Sequence, residues 1–223
     1  FDYFYEATVQ VDNFLKKVND DNYRDVLEPA VKLILNSRHI AFSGIGTSGT
    51  LGMYGSRYFT NMEINAYSIA DPFAPIPPRG LENTLAIILS VSGETEQMID
   101  QAMDFKRYGA QVLSITNDEN STIARIADYN ISYYMPEVGS PREAHLNLTT
   151  QVPVIALIEI LAHQVAKELQ AFMPDAWISR QGAVIIVESP PYEPNTTKRE
   201  IPKTDDLPLK ILEGRRLFIA KKF

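Results

Sequence analysis

The run Leu85-Ala86-Ile87-Ile88-Leu89-Ser90 constrains the fold more than any other part of the chain. Its apolar residues do not alternate with polar ones, so a strand here must be covered on both faces. Around it, short apolar runs alternate with helical stretches. His39–Ser43, Asn65–Ile69, Gln111–Ile115 and Tyr129–Met135 read as further strands. Thr47–Met62, Glu94–Tyr108 and Ser121–Ile126 read as helices, the second carrying Met98, Ile99, Ala102, Met103 and Phe105 at apolar positions and closed by Gly109. Strands spaced by helices predict right-handed βαβ units and a parallel sheet.

Residues 1–36 read as two helices packing on that domain. Phe4, Thr8, Val11, Leu15 and Val18 share one face, and Val26, Ala30, Leu33 and Ile34 share another. Pro29 falls in the first two turns of the second helix, where a missing N–H matters less. After Pro141 the pattern predicts one long helix, Glu143–Leu169, apolar nearly all round from Val152 to Ala166. Such a helix is buried on more than one side, against a second subunit or within a thick monomer core. The main domain therefore spans 37–170. The remainder, 171–223, differs in kind: it holds 6 of the 14 prolines, and 9 basic against 7 acidic residues, whereas residues 1–170 hold 12 against 21. Ser189–Pro208 reads as linker, with isolated strands at Ala183–Val187 and Arg216–Ala220.

Composition removes several chemistries. A chain of 223 residues without cysteine has no disulfide, thiolate metal site or cysteine nucleophile. Three histidines leave little for a metal, and a net charge of -7 argues against broad attraction to nucleic acid or anionic lipid. No stretch approaches the roughly 20 apolar residues of a membrane span. Phe1-Asp2-Tyr3-Phe4 lacks the basic start of a signal peptide, so a cytoplasmic location is expected; the first residue is not Met, so the chain reads as a piece of something longer.

Two loops carry the chemistry. Gly44-Ile45-Gly46-Thr47-Ser48-Gly49 matches the GxGxxG dinucleotide fingerprint, with Asp71 22 residues beyond as a ribose-binding acid. The same residues also suit a tight strand-to-helix turn capped by Thr47 or Ser48. The second loop, Ser90-Val91-Ser92-Gly93-Glu94-Thr95, offers three hydroxyls around one glycine at a helix start. A capping box from Ser92 to Thr95 or Glu96 would also explain it. A dinucleotide site has no use for a second hydroxyl-rich cradle. Two anion-binding helix starts at one sheet edge suit a small phosphorylated ligand at the switch point of strand order.

Those two loops resemble the sugar isomerase, or SIS, domain. So do Gly109-Ala110-Gln111-Val112-Leu113-Ser114-Ile115-Thr116-Asn117 and Ser121-Thr122-Ile123-Ala124-Arg125-Ile126-Ala127-Asp128. The resemblance covers about residues 20–169. Asn65-Ala66-Tyr67-Ser68 and the late apolar helix are most similar to the ligand-sensing half of RpiR-type bacterial transcriptional regulators. The resemblance implies a flavodoxin-like α/β/α sandwich of five parallel strands, a dimer or tetramer, a bound sugar phosphate and no cofactor. It implies that Ser90, Ser92, Gly93, Glu94 and Thr95 surround the phosphate, with Gly46, Thr47 and Ser48 reaching phosphate or sugar. DNA would be engaged only through a missing N-terminal helix-turn-helix domain. The tail after Gln170 matches nothing in the family.

Sensor and enzyme make different demands. Aldose–ketose isomerisation needs a base, and usually an acid to open the ring. Glu94, Glu143, His145 and His163 are the candidates. Glu94 at a helix start suits a cap better than a base. Arg142 would pair with phosphate or a sugar acid, and Glu143 and His145 would move protons if the chain is an isomerase. On one regular helix, His145 and His163 would lie about 27 Å apart, too far for one metal. His39 begins a strand and reads as structural. No metal site is expected, and the sequence favours a sensor. A sugar-phosphate isomerase is the rival, and a nicotinamide enzyme using Asp71 is a third reading. The proline-stiffened segment Asp71–Arg79 would form one wall of the site.

Overall fold

In the computed structural model, the described backbone comprises residues 2–138, 147–172, 176–178 and 184–186, and the described side chains run from 8 to 138 and from 147 to 169. The elements are α1 (Asp2–Val18), α2 (Tyr23–Leu35), β1 (His39–Ser43), α3 (Thr47–Asn61), β2 (Ala66–Ile69), β3 (Thr84–Ser90), α4 (Glu96–Arg107), β4 (Gln111–Thr116), α5 (Thr122–Ile126), β5 (Tyr129–Ser132), α6 (Val152–Phe172), β6 (Ala176–Ile178) and β7 (Val184–Ile186). Residues 1–169 form one compact unit and 170–223 another.

The first unit is a three-layer sandwich. Its sheet is all parallel, in the order β2-β1-β3-β4-β5. All seven residues of β3 are buried, as a strand apolar on both faces requires. On one face Ile40, Phe42, Leu85, Ile87, Leu89, Leu113, Ile115 and Ile131 pack with α1, α2, α3 and α6. On the other, Ala41, Ala86, Ile88 and Val112 pack with α4, α5 and the β2–β3 connection through Ile76 and Leu81. That connection, 70–83, crosses without a helix.

The packing of α3 sets where its N-terminus lies. A Cβ on Gly55 would stand 2.7 Å from the Phe42 ring, and one on Gly52 3.5 Å from Phe42 Cβ. These glycines let the helix rest directly on β1, while Phe59 meets Phe42 edge-on at 5.2 Å. The first turn of α3 is thereby held at the carboxyl end of β1.

Several elements depart from expectation. On α1 the inward residue is Phe14, not Leu15, which is 39% exposed. Val11, Phe14 and Val18 form the stripe, and Phe14 meets Tyr23 edge-on. The long helix starts at Val152 rather than Glu143, with Pro153 in its first turn, where a lost N–H costs nothing. Its buried stripe is Val154, Leu157, Ile158, Leu161, Ala162 and Val165, one face rather than the whole circumference, and Val152 is exposed. β5 stops at Ser132, three residues early. Tyr134 takes φ 53°, and the Asn117 side-chain amide brackets the Met135 backbone at 2.7 and 2.6 Å, replacing a sheet ladder.

In the second unit β6 and β7 form an antiparallel pair, Ala176 opposite Ile186. β7 lies within the expected strand at 183–187; β6 was not anticipated, because three residues give no periodicity. The expected linker at 189–208 and strand at 216–220 lie outside the described residues. Among the described residues no helix is long and apolar enough to cross a membrane.

Candidate functional site

Parallel strands put every β-to-α turn at the carboxyl edge. The order β2-β1-β3 places the turns after β1 and β3 side by side there, because the chain leaves β1 in one direction and β3 in the other. Ser43 pairs with Ile88, so the two turns emerge within two residues of the same level. This switch point is where open α/β sheets bind ligands.

The first turn is shaped by two glycines. A Cβ on Gly44 would meet the Ser48 carbonyl carbon at 2.7 Å, so only glycine lets the helix start fold back onto the strand end. Gly46, the N-cap of α3, takes φ 60° with open space around it. Thr50 N–H bonds Gly46 O at 3.0 Å, which leaves the Thr47, Ser48 and Gly49 amides without an acceptor inside the helix. Thr47 is exposed and Ser48 is 7% exposed.

The second turn is braced by its own hydroxyls. Gly93 N–H donates to Ser90 Oγ at 3.1 Å and Glu94 N–H to Ser92 Oγ at 3.2 Å. These two amides are therefore spent inside the loop. Each serine oxygen accepts one bond here, and its single proton is left to donate elsewhere. α4 begins after Thr95, whose hydroxyl makes no capping bond. Met98 and Ile99 N–H return to Thr95 O, so the Glu96 and Gln97 amides lack intrahelical acceptors. Ser92 Oγ accepts from Glu94 N–H, two residues on, so the alternative of a capping box from Ser92 to Thr95 or Glu96 does not form.

The β4–α5 connection holds the turn from one side. Asn117 N–H bonds Val91 O, and Ile123 N–H bonds Gly93 O, both at 3.0 Å. The Glu94 carboxylate accepts from Thr122 N–H at 2.7 Å and Thr122 Oγ1 at 2.8 Å. The Thr122 amide and hydroxyl together hold the Glu94 carboxyl below its usual pKa of 4.5. Glu94 thus caps α5, not α4, and is an anion committed to a neighbour. A lowered folded pKa means the contact is complete above the ordinary glutamate range and is lost as pH falls through the folded value. The Thr122 amide resonance is expected to titrate with a midpoint below 4.5; a midpoint at or above it contradicts this assignment.

The other candidates separate. Asp71 accepts Phe73 N–H at 2.9 Å, a local turn. His39 Nδ1 bonds the Asn65 amide at 3.0 Å at the opposite, amino edge of the sheet. His163 lies on α6, 2.9 Å from the Tyr58 hydroxyl of α3. Tyr54 on α3 likewise donates to Glu159 on α6, a bond that pushes its phenol up to about 12. Arg142, Glu143 and His145 lie outside the described residues. Since α6 begins at Val152, His145 is not on it, and the distance argued from one continuous helix does not apply. Among the described residues, no group of three acidic or histidine side chains is arranged to hold a metal.

Sequence reasoning missed Gln101 of α4. Its side chain is 5% exposed; Ser43 Oγ donates to its Oε1 at 2.6 Å, and its Nε2 donates to Asp71 O and Pro72 O at 3.1 and 3.2 Å. The signal was present: Gln101 is the one polar residue in the stripe Met98, Gln101, Ala102, Phe105.

Known proteins share this fold. The sequence model of the SIS domain matches residues 33–162. The arabinose 5-phosphate isomerase KpsF of Escherichia coli is 27% identical over 173 residues, 76% of this chain and 53% of that protein. The chain thus spans about half the length of such curated relatives. The sugar isomerase domain of an RpiR transcription factor from Sphaerobacter thermophilus superposes with a TM-score of 0.59 at 19% identity, covering 74% of this chain and 88% of that one. The NanR protein of Vibrio vulnificus, solved with ManNAc-6P, gives 0.56 at 18% identity, over 75% and 62%.

Proposed function

The chain belongs to the SIS-domain family, and from that premise we propose that residues 37–170 bind a phosphorylated sugar as effector, as the ligand-sensing part of an RpiR-type transcriptional regulator. The observation that carries the reading is the pair of helix starts, α3 and α4, on adjacent strands at the switch point. Each offers free amides and uncharged hydroxyls. A helix start contributes about 0.3–1 kcal/mol toward an anion, more when partly buried, and two acting on one group add. Neutral donors grip a phosphate without fixing it permanently, as a reversible effector site requires. Thr47, Ser48, Ser90, Ser92 and Thr95 supply the hydroxyls, Gly46 and Gly93 the close backbone approach, and Arg142 a charge-assisted partner. Glu94 supports the cradle through Thr122 rather than through the ligand.

Binding regulates only if one subunit arrangement holds the ligand better than another. A homodimer or tetramer in the cytoplasm fits this role. DNA contact belongs to a separate helix-turn-helix segment, because residues 1–170 hold 21 acidic against 12 basic residues.

Isomerase activity is the second reading, favoured by the similarity to arabinose 5-phosphate isomerases. It assigns proton transfer to Glu143 and His145. Turnover of an aldose or ketose phosphate that is abolished by Glu143→Gln or His145→Ala establishes it.

A thermal-shift screen of sugar phosphates in phosphate-free buffer tests the binding claim. A ligand at about 100 times its Kd stabilises by about 2.7 kcal/mol, so Tm should rise by about 5–10 °C. No shift at millimolar concentration with any aldose or ketose phosphate contradicts it.

A further inference from the structure

We infer that Gln101 is a positioning residue that seats Asp71–Phe73 as the wall against the sugar end of the ligand. The inference rests on the phosphosugar reading above and deepens it. A buried amide with its partners drawn from two separate segments is a brace. Gln101 ties the last residue of β1, Ser43, to the carbonyls of Asp71 and Pro72, the second and third residues past β2, from the second turn of α4. The amide orientation is set by its partners: two carbonyls demand the NH2, and the Ser43 hydroxyl donates to the oxygen.

The brace sits at the site. Ser43 immediately precedes Gly44, and Ile69 pairs with Ser43 in the sheet, so the chain leaves β2 level with the first turn. A Cβ on Gly49 would lie 3.9 Å from the Ala70 Cβ, so the same segment touches the start of α3. Asp71 then closes a turn, accepting Phe73 N–H on its carboxylate at 2.9 Å and Ala74 N–H on its carbonyl at 3.2 Å. The turn is pinned, yet Phe73 is 79% exposed. A large apolar ring held uncovered beside an anion site is suited to cover the C–H face of a sugar.

Gln101 makes no bond to the second turn and meets the first only through Ser43, before Gly44. Residues 91–94 are held from the other side of β3, by Asn117, Thr122 and Ile123. Loss of Gln101 should therefore weaken sugar recognition and leave phosphate recognition in place.

The test uses the full chain and two probes, inorganic phosphate and whichever binds tightest of fructose 6-phosphate, glucose 6-phosphate, arabinose 5-phosphate and N-acetylmannosamine 6-phosphate. Gln101→Met and Phe73→Ala are each expected to weaken the sugar phosphate about ten-fold, with inorganic phosphate changed less than about two-fold. Phe73 is exposed, so its variant folds and decides the matter even where Gln101→Met does not. In the wild type, the sugar phosphate should slow hydrogen exchange at the Phe73 and Ala74 amides, and inorganic phosphate should not. Equal weakening of both probes, or of neither, overturns the inference while leaving the binding reading intact. A wild type that binds neither probe removes that reading, and the inference with it.

Discussion

Gly93→Ala is expected to destabilise the protein by about 3–5 kcal/mol and lower Tm by about 10 °C. Gly93 takes φ 64°, a region that costs an L-residue about 1–2 kcal/mol. Its added Cβ would stand 2.2 Å from Ser121 Oγ and 2.5 Å from Ser121 Cβ. Ser121 has no room to yield, since its hydroxyl donates to Asp118 O at 2.9 Å and accepts from Ala124 N–H to cap α5. Relief of the clash therefore breaks the cap or shifts the loop, and either outcome removes anion binding. Gly46→Ala supplies the contrast. Gly46 has φ 60° and ψ −125°, a region nearly confined to glycine, but nothing within 4 Å of an added Cβ, so only the conformational cost of about 1–3 kcal/mol remains. Thermal denaturation of the two variants checks the ranking, and equal losses contradict the packing argument.

Ser92→Asp should leave the fold intact and reduce sugar phosphate affinity about 100-fold. Ser92 is exposed, and an aspartate oxygen can accept the Glu94 N–H as the serine does. The new negative charge would sit within about 5 Å of the phosphate. At an effective dielectric near 20 that repulsion amounts to about 3 kcal/mol, or about two decades in Kd. Ser92→Ala removes one donor and should cost about ten-fold at most. Calorimetric titration of both variants checks the order; an unchanged Kd in Ser92→Asp places the anion elsewhere.

Much of this molecule can be read directly from the order of its residues, for identifiable reasons. The strand Leu85–Ser90 lacks alternation because both of its faces are covered, and its glycine-bearing neighbours mark the turns. The position of the two binding turns follows from parallel topology, which spacing alone implies. Helix starts were legible only to a few residues. α6 begins at Val152 because Pro153 suits a first turn, whereas the charged residues from Glu143 invited an earlier start. Phe14 was displaced by Leu15 because both fit an approximate stripe, and only packing against Tyr23 decides between them. Glu94's engagement with Thr122 joins residues 28 apart, and the brace at Gln101 joins residues 58 apart. No local pattern encodes such partners. A polar residue inside an apolar helix stripe was the one available hint, as at Gln101.

The claim that two turns hold one anion is tested most directly by amide resonances during titration with a sugar phosphate. The account predicts that Thr47, Ser48 and Gly49 of α3 and Glu96 and Gln97 of α4 shift together, with one Kd, and that the unphosphorylated sugar moves neither set. Movement of only one set, or equal movement with the unphosphorylated sugar, would contradict it.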